Sequence, residues 1–182
     1  MPPQRRTTRG QMLLRIRKAE LRDVPALFEM IEPYATERVM LHRSVEELYE
    51  HVWEFTVAEE DGILVGCGAL KFYSDEIAEI RSLCVAPGLK RGGLGRALTE
   101  SLLSEAERYG LKTVFALTVV PGFFGKLGFR EEPRATLPMK VWRDCIHCEK
   151  YFQCDEKTMV IDLLRLTTPR LLSRAEITEV PA

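Results

Sequence analysis

Residues 85–98, "VAPGLKRGGLGRAL", join an apolar, strand-like segment to a helical repeat and constrain the fold more than any other stretch of the chain. Gly92, Gly93 and Gly95 strip side chains from the backbone where strand gives way to helix, with Lys90, Arg91 and Arg96 around them. A helix N-terminus presents unpaired N–H groups and partial positive charge, and glycine lets a phosphate approach the backbone. No hydroxyl or acidic residue stands ready to cap this helix, so a ligand is expected to satisfy its first amides. The Gly-Lys-Ser/Thr of a P-loop is absent, and Leu98 stands where a dinucleotide fingerprint needs its third glycine. A plain strand-to-helix turn is the alternative reading.

Around that step the periodicities predict one α+β domain over 13–165, between a flexible N-terminal arm (1–12) and a tail (166–182). Residues 13–19 alternate as a strand. Asp23 is expected to cap a helix with Pro25 in its first turn and Val24, Leu27, Phe28 and Ile31 on one face. Ser44 and Glu47 form a capping-box pattern for a short helix to about His51. Strands over 54–59 and 63–72 flank the turn Glu60-Asp61-Gly62, and 78–85 is a fourth strand. Leu94, Ala97, Leu98, Leu102, Leu103 and Ala106 recur at helical spacing, and Gly110 ends that helix. Residues 113–120 read as a strand buried on both faces. A short helix over 121–129 ends at Gly128, followed by a Pro- and Cys-rich loop and a last strand within "KTMVIDLLRL".

With 26 Lys and Arg against 27 Asp and Glu, no overall field draws the chain to nucleic acid or an acidic membrane. No apolar run approaches a membrane span, and the basic N-terminus leads into no apolar signal core. Five cysteines, an odd number, fit a reducing cytoplasm rather than a disulfide framework.

The stretch "LCVAPGLKRGGLGRALTESLLSEA" resembles the pyrophosphate-binding segment of the GNAT N-acetyltransferases, whose pattern is Gln/Arg-x-x-Gly-x-Gly/Ala at a helix start. Here it reads Lys90-Arg91-Gly92-Gly93-Leu94-Gly95, and "FFGKLGF" resembles the family's "FYxKLGF". The resemblance implies the GNAT (acyl-CoA N-acyltransferase) fold, a mixed, mostly antiparallel sheet flanked by helices. It also implies acetyl-CoA held along Leu83, Cys84 and Val85 and along Lys90, Arg91, Gly92, Gly93, Leu94, Gly95, Arg96 and Ala97. Phe123 and Phe124 are expected in the core or as a pantetheine wall. "LHRSVEELYE", "AEIRSLCV", "FALTVVPGFFGKLGF" and "LPMKVWRDCIHCEKYFQCDE" resemble the short, single-domain bacterial N-acetylglutamate synthases, which implies L-glutamate as acceptor, in arginine biosynthesis. A homodimer stays open. Two positions depart from that pattern: His42, where Pro is expected, and Met139, where His is frequent.

Acetyl transfer needs an amine stripped of its proton, and a carboxylate acting directly or through water can take it. Glu79 is the candidate base, and period-2 alternation puts it on one face with Arg81, Leu83 and Val85. The same "AEI" stretch carries the catalytic Glu in many GNATs. The alternative is an exposed strand carboxylate paired with Arg81. Arginine grips carboxylates bidentately, which makes Arg43 and Arg81 candidates for the acceptor, with Lys140 behind them. Phe124 replaces the Tyr that protonates the departing thiolate in many GNATs, leaving water, Tyr151 or unassisted departure. Cys145, Cys148 and Cys154, with His147 among them, are compatible with tetrahedral zinc, reduced packing thiols or a redox disulfide. Cys67 and Cys84 read as small core residues. Two other functions remain: acetylation of another small amine, amino acid or peptide N-terminus, and non-catalytic sensing of acetyl-CoA.

Overall fold

Seven strands form one sheet in the computed structural model, which describes residues 14–89, 92–137, 143–148 and 150–163. The arm and the tail lie outside the described residues. In chain order the elements are β1 (Leu14–Lys18), α1 (Val24–Thr36), α2 (Val45–Glu50), β2 (Phe55–Glu60), β3 (Ile63–Phe72) and β4 (Ile77–Val85). Then come α3 (Leu94–Arg108), β5 (Thr113–Thr118), α4 (Pro121–Gly125), β6 (Arg130–Glu132) and β7 (Lys157–Asp162). The strand order is β1-β2-β3-β4-β5-β7-β6, antiparallel throughout except for the parallel pair β4–β5. This is the mixed, mostly antiparallel α+β sheet expected.

Helices cover both faces. Leu27 and Ile31 of α1 and Leu48 of α2 pack on Val57, Cys67 and Ala69. On the opposite face, Leu102 of α3 and Phe124 of α4 pack on Leu70, Ile80 and Ala116. Helix α3 presses directly on β3, because a Cβ at Gly66 would come within 2.9 Å of Leu98 and one at Gly68 within 3.0 Å of Leu102. Strand β5 is buried on both sides, Val114 toward α3 and Phe115 toward Tyr73.

Local chemistry accounts for most boundaries. Ser44 Oγ accepts from the Glu47 N–H, and the Glu47 carboxylate accepts from the Ser44 N–H, a complete capping box. Asp61 and Gly62 both take positive φ, the pattern of a two-residue type I′ hairpin, so Glu60 belongs to β2 rather than to the turn. Asp23 stands before α1 but does not cap it. Its carboxylate accepts instead from the Glu20 N–H at 2.8 Å and from Arg17 at 2.6 and 3.0 Å. Strand β6 was not anticipated, because three charged residues carry no apolar alternation.

Strand β4 has two irregularities. Cys67 pairs with Cys84 and Ala69 with Arg81, so β4 carries an extra residue there, and Ser82 takes φ +51°. That bulge reverses the alternation. Arg81 keeps the face of Glu79, but Leu83 and Val85 turn toward α3, where they approach Gly68 and Gly66. The shared face expected for all four is therefore corrected. Second, β4 pairs with β5 only at Ile77–Thr113, Ala78–Val114 and Glu79–Phe115, although both strands run on.

Candidate active site

Where that pairing stops, a cleft of about 700 Å³ opens, bordered by residues from both faces of the sheet. The α3 mouth is the glycine step. Gly93 is the N-cap at φ +81°, a left-handed conformation that glycine adopts without strain, and no side chain caps the helix. Leu94, Gly95 and Arg96 form the first turn, whose N–H groups have no carbonyl within the helix to bond. Two expected contributors are corrected. The Gly92 N–H already donates to the Leu89 carbonyl, and the Ala97 N–H to that of Gly93. Leu94 turns its side chain into the core, so only its backbone is on offer. Lys90 and Arg91 lie outside the described residues.

Arg96 and Lys126 both border the cleft, and Arg96 also donates to the Lys126 carbonyl at 3.2 Å, so two cations flank the helix start. Leu83 and Val85 line the cleft from β4. The Cys84 thiol is spent against Cys67, 3.5 Å away on the α1 side, as a core position. Phe123 lies 3.5 Å from where a Cβ on Gly95 would stand, and Phe124 is buried edge-on between Phe123 and Phe129. Phe124 is thus core as well as cleft border. The mouth fits a pyrophosphate by its donors and its charge.

On the opposite face Glu79 is 3% exposed, which removes the reading of an exposed strand carboxylate. The Tyr73 hydroxyl lies 3.0 Å from Glu79 Oε2 and 2.7 Å from Asp144 Oδ2. Lys71 Nζ sits 3.3 Å from both Asp144 oxygens. Arg81 donates through Nη2 to Glu54 at 2.7 Å. Among the described residues the Nε atoms of Arg81 and Arg43 are buried without a hydrogen-bond partner. Burial first, then the neighbouring charge of Arg81, lowers the pKa of Arg43, and the same two causes lower that of Lys71. Burial, and then Glu79, pushes the Tyr73 phenol well above its ordinary value. Two guanidiniums with donors unsatisfied among the described residues can hold an anion, and the buried carboxylate beside them can accept a proton.

The structure therefore brings Glu79, Arg43 and Arg81 together, while Lys140 and Met139 lie outside the described residues. His42 is on the surface, 2.9 Å from Glu32. Tyr151, Cys145, Cys148 and Cys154 border the cleft, and Arg134 donates to the Cys154 sulfur. Among the described residues no three His, Cys, Asp or Glu side chains converge on a point that could hold a metal ion, so zinc finds no support there. Lys71, Tyr73, Glu54 and Asp144 were not singled out by the sequence. Lys71 pairs with Glu79 across the two strands and Tyr73 follows just past the end of β3, a juxtaposition set by cross-strand register.

A sheet parted along one strand pair, with a helix start at one mouth and a buried carboxylate at the other, defines an acyltransferase. A family model described as acetyltransferase (GNAT) family matches residues 16–129. An uncharacterized N-acetyltransferase of Chlorobaculum tepidum is 42% identical over 145 residues, 80% of this chain and 94% of that relative. An amino-acid acetyltransferase of Mycobacterium tuberculosis is 39% identical over 119 residues, 64% of this chain and 68% of its own length. A solved N-acetylglutamate synthase from Neisseria gonorrhoeae, complexed with coenzyme A and N-acetyl-glutamate, superposes with a TM-score of 0.74 at 31% identity. That match covers 85% of this chain but only 36% of the Neisseria chain. The chain belongs to the acetyltransferase (GNAT) family. Among the described residues no helix is long and apolar enough to cross a membrane.

Proposed function

We propose that the chain transfers the acetyl group of acetyl-CoA to the α-amino group of L-glutamate, in a ternary complex, as the first step of arginine biosynthesis in the cytoplasm. One observation carries the reading: the cleft joins the uncapped α3 N-terminus to a buried Glu79 flanked by Arg43 and Arg81, whose Nε donors lack partners among the described residues. The names of the Mycobacterium and Neisseria relatives support an amino-acid acceptor.

Acetyl-CoA, when bound, supplies an activated thioester. The α3 amides of Leu94, Gly95 and Arg96 hold its pyrophosphate, with Arg96 and Lys126 adding charge. Leu83 and Val85 border the acyl arm, and Phe123 stands against the helix start. Arg43 and Arg81 orient the acceptor's carboxylates. Glu79 accepts the proton that the α-ammonium must lose before its lone pair can attack.

Glu54 already occupies Arg81, which favours a second reading in which Arg43 holds one α-carboxylate and the acceptor side chain is neutral. Thiol release measured with each amino acid separates the two. Each charge-assisted contact contributes about 1.5–3 kcal/mol, so glutamate should exceed glutamine by roughly ten- to a hundredfold in kcat/KM. Equal rates remove the side-chain charge from recognition, and faster turnover of a neutral amino acid favours the second reading. Activity confined to polyamines or peptide N-termini removes both.

A further inference from the structure

A dicarboxylic amino acid brings two anionic ends into the cleft, and the cations at the acceptor end are not equally free to meet them. Arg81 already donates to the Glu54 carboxylate at 2.7 Å. Lys71 lies 3.3 Å from both Asp144 oxygens, and neither it nor Arg143, 5.9 Å from the Tyr73 ring centre, borders the cleft. Arg43 does border it, with its Nε unpartnered among the described residues. So does Arg134, half-buried, which forms no ion pair among the described residues and donates instead to the Cys154 sulfur. Sulfur is a weak acceptor, and a guanidinium has five N–H donors in a fixed fork. Two carboxylates thus face two guanidiniums whose charge no carboxylate has matched.

The fold brings Arg134 to the acceptor end. It opens a 3₁₀ turn after β6, closed by the Leu137 N–H on the Arg134 carbonyl at 3.0 Å. Leu137 packs with Tyr73, Phe115 and Val160, and the Tyr73 hydroxyl lies 3.0 Å from Glu79 Oε2. Through Leu137 and Tyr73 the turn is anchored beside the candidate base. The guanidinium itself reaches the cysteine-rich segment, with Cys154 against it and Cys145 and Glu156 near enough to act on its charge. Burial works against that charge, but the Cys154 hydrogen bond and these neighbours outweigh it, and the net pKa shift is upward.

We propose that Arg134 is a specificity-determining residue that receives the carboxylate of the acceptor's side chain. The α-amine has to reach Glu79, and the α-carboxylate shares its carbon, so that carboxylate falls to Arg43 and Arg81 beside the base. The side-chain carboxylate of glutamate stands two methylenes further on and needs a cation elsewhere on the cleft wall. Arg134 supplies it, in a fork that matches carboxylate geometry bidentately. As the acceptor enters, a weak N–H···S contact gives way to a charge-assisted pair.

This assignment rests on the proposed glutamate acceptor, and the test keeps the two apart. Thiol release with glutamate and with glutamine is measured in the full chain for wild type, Arg134→Gln and Arg134→Lys. Arg134→Gln should lower kcat/KM for glutamate by roughly ten- to a hundredfold, chiefly through KM, while glutamine turnover and KM for acetyl-CoA stay nearly unchanged. Arg134→Lys keeps a point charge and should restore part of the preference. Equal loss on both amino acids, with a lower melting temperature, makes Arg134 structural and overturns the proposal.

A second variant leaves Arg134 in place. Cys154→Asp sets a carboxylate where the sulfur stands, so the guanidinium is paired before the acceptor arrives. The preference for glutamate should fall there too, and an unchanged preference overturns the proposal. A wild type that prefers glutamate and keeps that preference in both Arg134→Gln and Cys154→Asp overturns the role of Arg134 alone. A wild type without the preference overturns the acceptor reading and this assignment with it.

Discussion

Arg43 is the residue whose role the structure makes most exposed to experiment. Its Nε is buried with no partner among the described residues, and an unsatisfied buried donor costs about 1–3 kcal/mol until something accepts from it. In the proposed function, the acceptor's carboxylate is the anion that relieves that cost. Arg43→Ala should therefore lower kcat/KM for glutamate by roughly ten- to a hundredfold while leaving acetyl-CoA affinity and the melting temperature nearly unchanged. A variant with wild-type kinetics and a lower melting temperature would make Arg43 a structural residue instead. Arg43, Glu79 and Arg81 were legible because arginines and a strand carboxylate are chemically conspicuous within family-like stretches. Tyr73 and Asp144 were not, because their meeting depends on cross-strand register and on a segment that returns from 71 residues further along.

Among the elements, α3 carries the clearest prediction. A Cβ at Gly95 would make an ordinary 3.5 Å contact with Phe123, so its backbone tolerates a side chain while the space in front of the first-turn amides does not. Gly95→Val should weaken acetyl-CoA binding at least tenfold by calorimetry with a melting temperature close to wild type. Gly92→Ala, whose Cβ would meet only the Leu89 carbonyl at 3.5 Å, should bind normally. Equal affinity in both variants would place the phosphates elsewhere. Gly93 is a poor test site, since its positive φ strains any replacement. The hairpin, the Ser44 cap and the α3 repeat were readable because each is set by neighbours in sequence. The β4 bulge was not: an extra residue is visible only against its partner strand, and missing it sent Leu83 and Val85 to the wrong face.

At the scale of the whole molecule, one ion cluster fastens the first strand to the rest. Arg17 of β1 reaches Asp23 before α1 at 2.6 Å and Glu59 of β2 at 2.5 Å. The Arg17 hydrogen bond is the main cause holding the Asp23 carboxyl below its ordinary pKa, so in that range the folded chain binds fewer protons there than the unfolded chain. Its stabilisation is complete above the unfolded carboxyl value near ~4 and disappears as pH falls through the lower folded value. Asp23→Asn should cost about 2 kcal/mol at neutral pH and flatten the loss of stability below pH ~4, as read by denaturant melts. Parallel stability curves for variant and wild type would show that Asp23 does not contribute through its charge. The parting of β4 from β5 has a consequence of another kind. Past Glu79 the β5-facing backbone of β4 is a sheet edge set inside the molecule, sheltered from the edge-to-edge association that exposed edges invite. A guest bearing amides can lie there as a short surrogate strand, held by main-chain bonds that are indifferent to what it carries. If the donor of the proposed reaction lies along it, such an edge would recognise the length and hydrogen-bonding rhythm of the donor's arm, and discrimination among donors would fall to the ends of the cleft, above all to the room left for the acyl chain.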